Sequence, residues 1–135
     1  MAGYSGTPLW KKLGLKAGMR ATVIGAPDGY HETLLDGAPL VEWLGLGPGI
    51  AFVHIFARDR ANLETNVQAA LSRMDPDGMI WASWPKKASK VPTDITEDVI
   101  RDIALPLGLV DVKVCAVDDI WSGLKLVIRK ELRSR

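Results

Sequence analysis

Apolar residues along this chain fall into short runs and two helical stripes, and their alternation predicts an α/β protein. Arg20 to Ala26 reads as a first strand, closed by Pro27-Asp28-Gly29. A short helix through His31–Leu35 and a short strand over Leu40–Leu44 follow. Ile50 to Ala57 (IAFVHIFA) is almost continuously apolar, the pattern of a strand covered on both faces. Leu63, Val67, Ala70, Leu71 and Met74 then recur at helical spacing behind Asp59, a good N-cap residue. Asp75-Pro76-Asp77-Gly78 ends that helix, and Met79 to Trp84 returns to a buried-type strand. Asp94 with Glu97 three residues on has the form of a capping box, and Val99, Ile100, Ile103 and Ala104 make a second helical stripe, ended by Pro106 and Gly108. Leu109–Val117 and Leu124–Lys130 are two further strands. The connection between them, residues 118–123, is too short for a parallel crossover and must be a hairpin.

This order predicts a single three-layer Rossmann-like α/β domain, its sheet mostly parallel with a C-terminal antiparallel hairpin strand. The domain is expected over residues 20–135. Residues 1–19 are expected to form a docking arm anchored by Leu9, Trp10, Leu13 and Leu15, with a short helix from Leu9 to Leu13 that Gly14 ends.

Composition narrows the setting. A chain of 135 residues with 47% hydrophobic and 24% charged residues suits one globular domain. The net charge of +1 exerts no bulk pull on nucleic acid or membrane, so a nucleic acid partner is not expected. Cys115 is the lone cysteine and excludes an internal disulfide. The N-terminal stretch lacks the apolar core of a signal peptide, and no run is long enough to span a bilayer. A cytoplasmic protein is the expectation.

In an open α/β sheet, ligands bind beyond the carboxyl ends of the strands. Trp84-Pro85-Lys86-Lys87 stands at such an end, so Lys86 and Lys87 are candidate anion ligands, with Lys90 as a third charge. Thr93, Asp118 and Trp121 are expected to line the same crevice. Trp121, placed in the hairpin turn, either stacks on a ligand or covers the open end of the core. Tyr4, Ser5 and Thr7, in the glycine-flanked arm, are expected nearby, where close backbone approach to a ligand or a second subunit is possible. Asp111, Lys113 and Cys115 alternate and so should share one face of their strand, with Val112, Val114 and Ala116 on the other. His54, inside an apolar strand, reads as a hydrogen-bonded core histidine. No spacing of His, Cys, Asp and Glu matches a metal site.

The helix–strand–hairpin ending resembles the C-terminal half of the Rossmann-like methyltransferase fold over roughly residues 50–130. The cofactor half departs from that family's glycine-rich loop. Gly25-Ala26-Pro27-Asp28-Gly29 keeps two glycines, and the interval from residue 25 to 50 is too short for two further helix–strand units. Over nearly the whole chain, GYSGTPL (3–9), KLG (12–14), WPKKAS (84–89), TEDVIR (96–101) and LGLVDVKVCAVDDIWSGLKLV (107–127) resemble a family of short bacterial proteins classed as a domain of unknown function. That resemblance implies the fold and a bacterial origin, and brings no activity or cofactor with it.

Two functions follow as expectations. The first is a non-catalytic module that binds a small anionic molecule or a protein, with homo-oligomerisation through the arm and Trp121 as a variant. The alternative is a methyltransferase-like group transferase on an anionic substrate, with Gly25–Gly29 as a shortened cofactor loop and Lys87 or Lys113 as acid–base group.

Overall fold

A computed structural model describes residues 7–133. Among these residues six strands form one sheet: β1 (Arg20–Ile24), β2 (Glu42–Trp43), β3 (Ile50–Phe56), β4 (Met74–Pro85), β5 (Leu109–Ala116) and β6 (Trp121–Ile128). Their order across the sheet is β2-β1-β3-β4-β6-β5. The first four pair in parallel, and β6 runs antiparallel to both β4 and β5. The sheet is therefore the mostly parallel α/β type with an antiparallel C-terminal hairpin strand. Among the described residues no helix is long and apolar enough to cross a membrane.

Alternation along β3 decides the layers. Val53 and Ile55 face the two longer helices, α2 (Arg60–Leu71) and α3 (Glu97–Ala104), which contribute Leu63, Val67, Ala70, Ile100 and Ile103 to that core. Phe52 and Phe56 face the other way, into a second core with Leu13, Leu15, Tyr30, Trp81 and Trp121. Among the described residues no long helix covers this side. The cover is α1 (Leu9–Leu13), the chain after it and a π-helical turn over Tyr30–Leu34. Leu13 and Leu15 are buried there, and the indole N–H of Trp81 donates to the Leu13 carbonyl at 2.9 Å. Gly123 pairs with Ser83 across β4 and β6 and lies diagonal to Trp81. A Cβ at that glycine would stand 3.2 Å from the indole and 3.1 Å from Ser83 Oγ, so the small residue makes room for the ring.

Several elements depart from the expectations. Asp75–Gly78 does not precede the strand but bulges within it: Met74 and Met79 of β4 pair with Ile50 and Phe52 of β3, five residue steps against two. The expected helix at His31–Leu35 is a π-helical turn, and the expected strand at 40–44 keeps only Glu42–Trp43. The capping box is also displaced. Thr96 caps α3, its hydroxyl accepting from Val99 N at 3.2 Å, whereas Asp94 accepts from Arg60 N at 2.7 Å and so caps α2. Asp94 reaches across the fold because α2 and α3 begin side by side at the carboxyl edge of the sheet.

The C-terminal strands bring two corrections. Trp121 is the first residue of β6 and is buried, so the turn is only 117–120. And Asp111 does not share a face with Lys113 and Cys115. Asp111 pairs with Leu126 but Lys113 pairs with Lys125, so the register slips at Val112. A one-residue bulge exchanges faces for everything beyond it. Asp111 thereby joins Arg101 of α3, while Lys113 turns to the other face, its ammonium 3.4 Å from the Lys12 carbonyl.

Candidate functional site

The sheet order reverses between β1 and β3. The chain leaving β1 turns toward β2, and the chain leaving β3 turns the other way toward β4. Diverging loops leave a crevice at the carboxyl edge, the usual ligand position in open α/β sheets. Here it is a cleft of about 540 Å3 between Gly25–Asp28 and Phe56–Asp59, with Asn62, Val91, Ile120 and Trp121 closing it. Gly25 sets how closely its two sides approach. Its φ is +72°, and a Cβ there would lie 2.7 Å from the Phe56 carbonyl oxygen. Only glycine suits both conditions.

Phe56 and Trp121 form the floor, and further rings pack behind them. Trp121 meets Phe56 edge-on at 5.0 Å between ring centres, and Phe56 stacks on His54 at 4.2 Å. Tyr30 then meets Trp43 edge-on at 6.0 Å. The Arg58 guanidinium lies 6.0 Å above the Trp121 ring, within cation–π range. Beneath the floor runs a buried polar chain, with Tyr30 Oη 2.8 Å from His54 Nδ1 and His54 Nε2 2.8 Å from Ser83 Oγ. One ring nitrogen donates and the other accepts, so a neutral imidazole satisfies both hydroxyls. Burial lowers the His54 pKa from 6.5 to about 3 and raises that of Tyr30. His54 is thus the core histidine expected from its strand.

A second cleft of about 770 Å3 adjoins the first at Val91. It lies between the end of β4 and the start of α3, lined by Trp84, Pro85, Lys87, Lys90, Thr93, Ile95, Glu97, Asp98 and Arg101 among others. The candidate residues divide between the two clefts. Lys87 and Thr93 line the second, Trp121 lines the first, and Lys86 and Asp118 line neither. Lys86 N donates to the Ile120 carbonyl at 2.7 Å, tying the end of β4 to the hairpin. The Asp118 carboxylate is engaged in that hairpin, accepting from Ile120 N at 2.8 Å and Trp121 N at 2.7 Å. The Thr93 hydroxyl donates to the Arg58 carbonyl at 2.6 Å and accepts from Ile95 N at 3.1 Å. Thr7 is exposed before α1, while Tyr4 and Ser5 lie outside the described residues. The Cys115 thiol is buried and its pKa raised by desolvation, which suits a packed thiol rather than a nucleophile.

Arg58 and Asn62 are not among the expected site residues, whereas Asp28 falls in the Gly25–Gly29 loop of the group-transferase alternative. The strand-end rule applied to β4 works equally at β3, and it would have singled out Arg58, two residues beyond Phe56. Asn62 carries no such signal. The sheet order alone sets it in one cleft with the Gly25–Asp28 loop.

No protein-family model matches the sequence, and no curated protein matches it. Among solved structures, the chain is similar to magnesium protoporphyrin IX methyltransferase from Synechocystis with bound SAH, at 13% identity and a TM-score of 0.55, covering 83% of this chain and 74% of that one. It is similar to a putative methyltransferase from Thermoplasma acidophilum at 12% identity and a TM-score of 0.58, covering 92% and 75%. It also matches LepI in complex with SAH and a substrate analogue at 12% identity and a TM-score of 0.57. There the likeness covers 91% of this chain but 47% of LepI, so the chain spans about half of that protein. At such identities the likeness is one of fold, and the fold is the Rossmann-like methyltransferase type.

Proposed function

We propose that this chain is a methyltransferase-like group-transfer protein acting on an anionic substrate, with its donor held in the cleft between β1 and β3. The observation that carries this reading is the position of that cleft. It occupies the point where the sheet order reverses, in a methyltransferase-type sheet, and it adjoins a second cleft through Val91. Two neighbouring clefts are what a transfer between two molecules requires.

The fit to S-adenosylmethionine is partial. Asp28 and Arg58 line one cleft with a charge of each sign, as an amino-acid head group requires, beside Asp59, whose carboxylate accepts from Asn62 N. The ribose end has no counterpart. In doubly-wound folds a carboxylate past the second strand binds ribose hydroxyls, and residues 44–47 beyond β2 (Leu-Gly-Leu-Gly) carry none. Pro27 also removes a backbone donor from the loop.

These departures support a second reading, a binding module without transfer activity. Calorimetric titration with S-adenosylhomocysteine separates the two. Micromolar binding that Arg58→Ala weakens about tenfold, the loss of one charged hydrogen bond, supports the transfer reading. No heat at millimolar ligand, from protein whose folding is verified, removes it.

A further inference from the structure

We infer that the cleft between β4 and α3 binds a small zwitterion, its anionic group on Lys87 and Lys90, its cationic group on the first turn of α3, and an apolar body between them. The transfer reading counts this cleft as its second compartment, but the zwitterion site and its test do not depend on that reading.

The argument begins with the charges that line the cleft. Lys87 and Lys90 come from the connection after β4, and Glu97, Asp98 and Arg101 from α3. Arg101 gathers the acidic side chains. Its Nη2 is 2.9 Å from Glu97, its Nη1 3.1 Å from Asp98 and its Nε 3.1 Å from Asp111. One guanidinium thus serves three carboxylates, so that wall keeps an excess of negative charge. The guanidinium pKa is raised, first by its hydrogen bond to Asp111.

The lysines take no part in this network. Among the described residues, neither Lys87 nor Lys90 has a carboxylate within 4.0 Å. Here the two signs stay apart, on different elements, with a space of about 770 Å3 beside them. That volume is in the range of small-molecule sites.

The remaining lining fits the body of such a ligand. Trp84, Pro85, Val91, Pro92 and Ile95 supply apolar surface. The polar groups near them are already engaged. The Thr93 hydroxyl has its two partners, and the Thr96 hydroxyl accepts from Val99 N. Among the described residues of this cleft, the charges without a partner are those of Lys87 and Lys90, both exposed, while Glu97 and Asp98 share one guanidinium and keep a net negative charge. Lys90 is also the one residue other than glycine with a positive φ, +61°, among those described. Such a conformation costs a lysine about 1 kcal/mol, and it persists where surrounding structure holds it. Here Lys90 N donates to the Lys87 carbonyl at 3.1 Å, which keeps both lysines on one short turn.

The test uses three molecules of one shape: L-phenylalanine, 3-phenylpropionate and phenethylamine. They differ in carrying both charged ends, the anion alone or the cation alone. Backbone amide shifts are followed in 15N-labelled protein at low salt. The expected result is that phenylalanine binds at least about tenfold more tightly than either half-molecule, the worth of one charge-assisted hydrogen bond. Lys87→Ala with Lys90→Ala removes that advantage for phenylalanine and weakens 3-phenylpropionate, while phenethylamine is unchanged. Asp98→Asn, at an exposed position, weakens phenylalanine and phenethylamine only. Equal binding of phenylalanine and 3-phenylpropionate overturns the zwitterion in favour of a plain anion site. Absence of shifts in residues 84–101 up to 20 mM of every probe overturns the site itself. S-adenosylhomocysteine titrated in parallel keeps the outcomes apart, since its failure to bind leaves the phenylalanine result standing.

Discussion

Acid should destabilise this fold through His54 in a way that can be isolated. Its imidazole is fully buried, between Tyr30 and Ser83, and its pKa falls from 6.5 to about 3. The folded state therefore refuses a proton that the unfolded chain accepts below pH 6.5. The unfolded chain then binds more protons, so stability falls as pH falls from about 6.5 toward 3, and levels off below. Each unit in that window is worth about 1.4 kcal/mol. Between pH 7 and pH 4.5 the expected loss from this residue alone is about 2.5 kcal/mol, a drop in Tm on the order of 8–10 °C for a chain of this size. Carboxylates add their own acid dependence, so the measurement is a difference. Urea unfolding of the wild type and of His54→Gln is compared at pH 7, 5.5 and 4.5. Glutamine keeps a donor and an acceptor between the two hydroxyls but cannot take the proton. His54→Gln should start less stable, having lost the ring stacked on Phe56, and should lose about 2.5 kcal/mol less on acidification. Equal losses in the two proteins would refute the argument, as would an imidazole resonance of His54 titrating near pH 6.5.

Other consequences are read more simply. Gly25→Ala should lower stability by about 1–3 kcal/mol in urea unfolding, because a left-handed backbone and a Cβ against the Phe56 carbonyl cannot both be relieved. An unchanged midpoint would mean that the loop has room to move. Trp81→Phe removes the bond to the Leu13 carbonyl and leaves that oxygen buried and unpaired. A loss of about 1–3 kcal/mol is expected, with faster proteolysis near α1. Cys115 should alkylate with iodoacetamide far more slowly in the native protein than in urea, at a rate still rising above pH 9. Rapid labelling at pH 7 would contradict its burial and raised pKa.

The sheet was largely legible because its signals are local. Continuous apolar runs at 50–57 and 79–84, the stripe behind Asp59 and the short link before residue 124 each state an element within ten residues or so. What failed also has a local cause. The bulge at Val112 adds one residue against β6, and no residue type marks it, so alternation placed Asp111 on the wrong face. Asp94 reads as a cap for the helix that follows it, and only packing shows the α2 start closer to its carboxylate. The spacing puts Trp121 in the turn, and it is not in one, because the Asp118 carboxylate accepts from Ile120 N and Trp121 N and β6 begins at Trp121.

What the sequence by itself determined is the kind of layer each segment makes, since burial on one face or two is written in hydrophobic period. It also marked the strand end where Lys87 stands. The tertiary structure decided which strand ends are neighbours. Order across the sheet depends on long-range pairing, which leaves no periodic trace, and it alone puts Gly25–Asp28 opposite Arg58. It likewise decided which charges are spent. Arg101 holds Glu97, Asp98 and Asp111 because α3 lies along β5, and Lys87 and Lys90 are left to face the cleft.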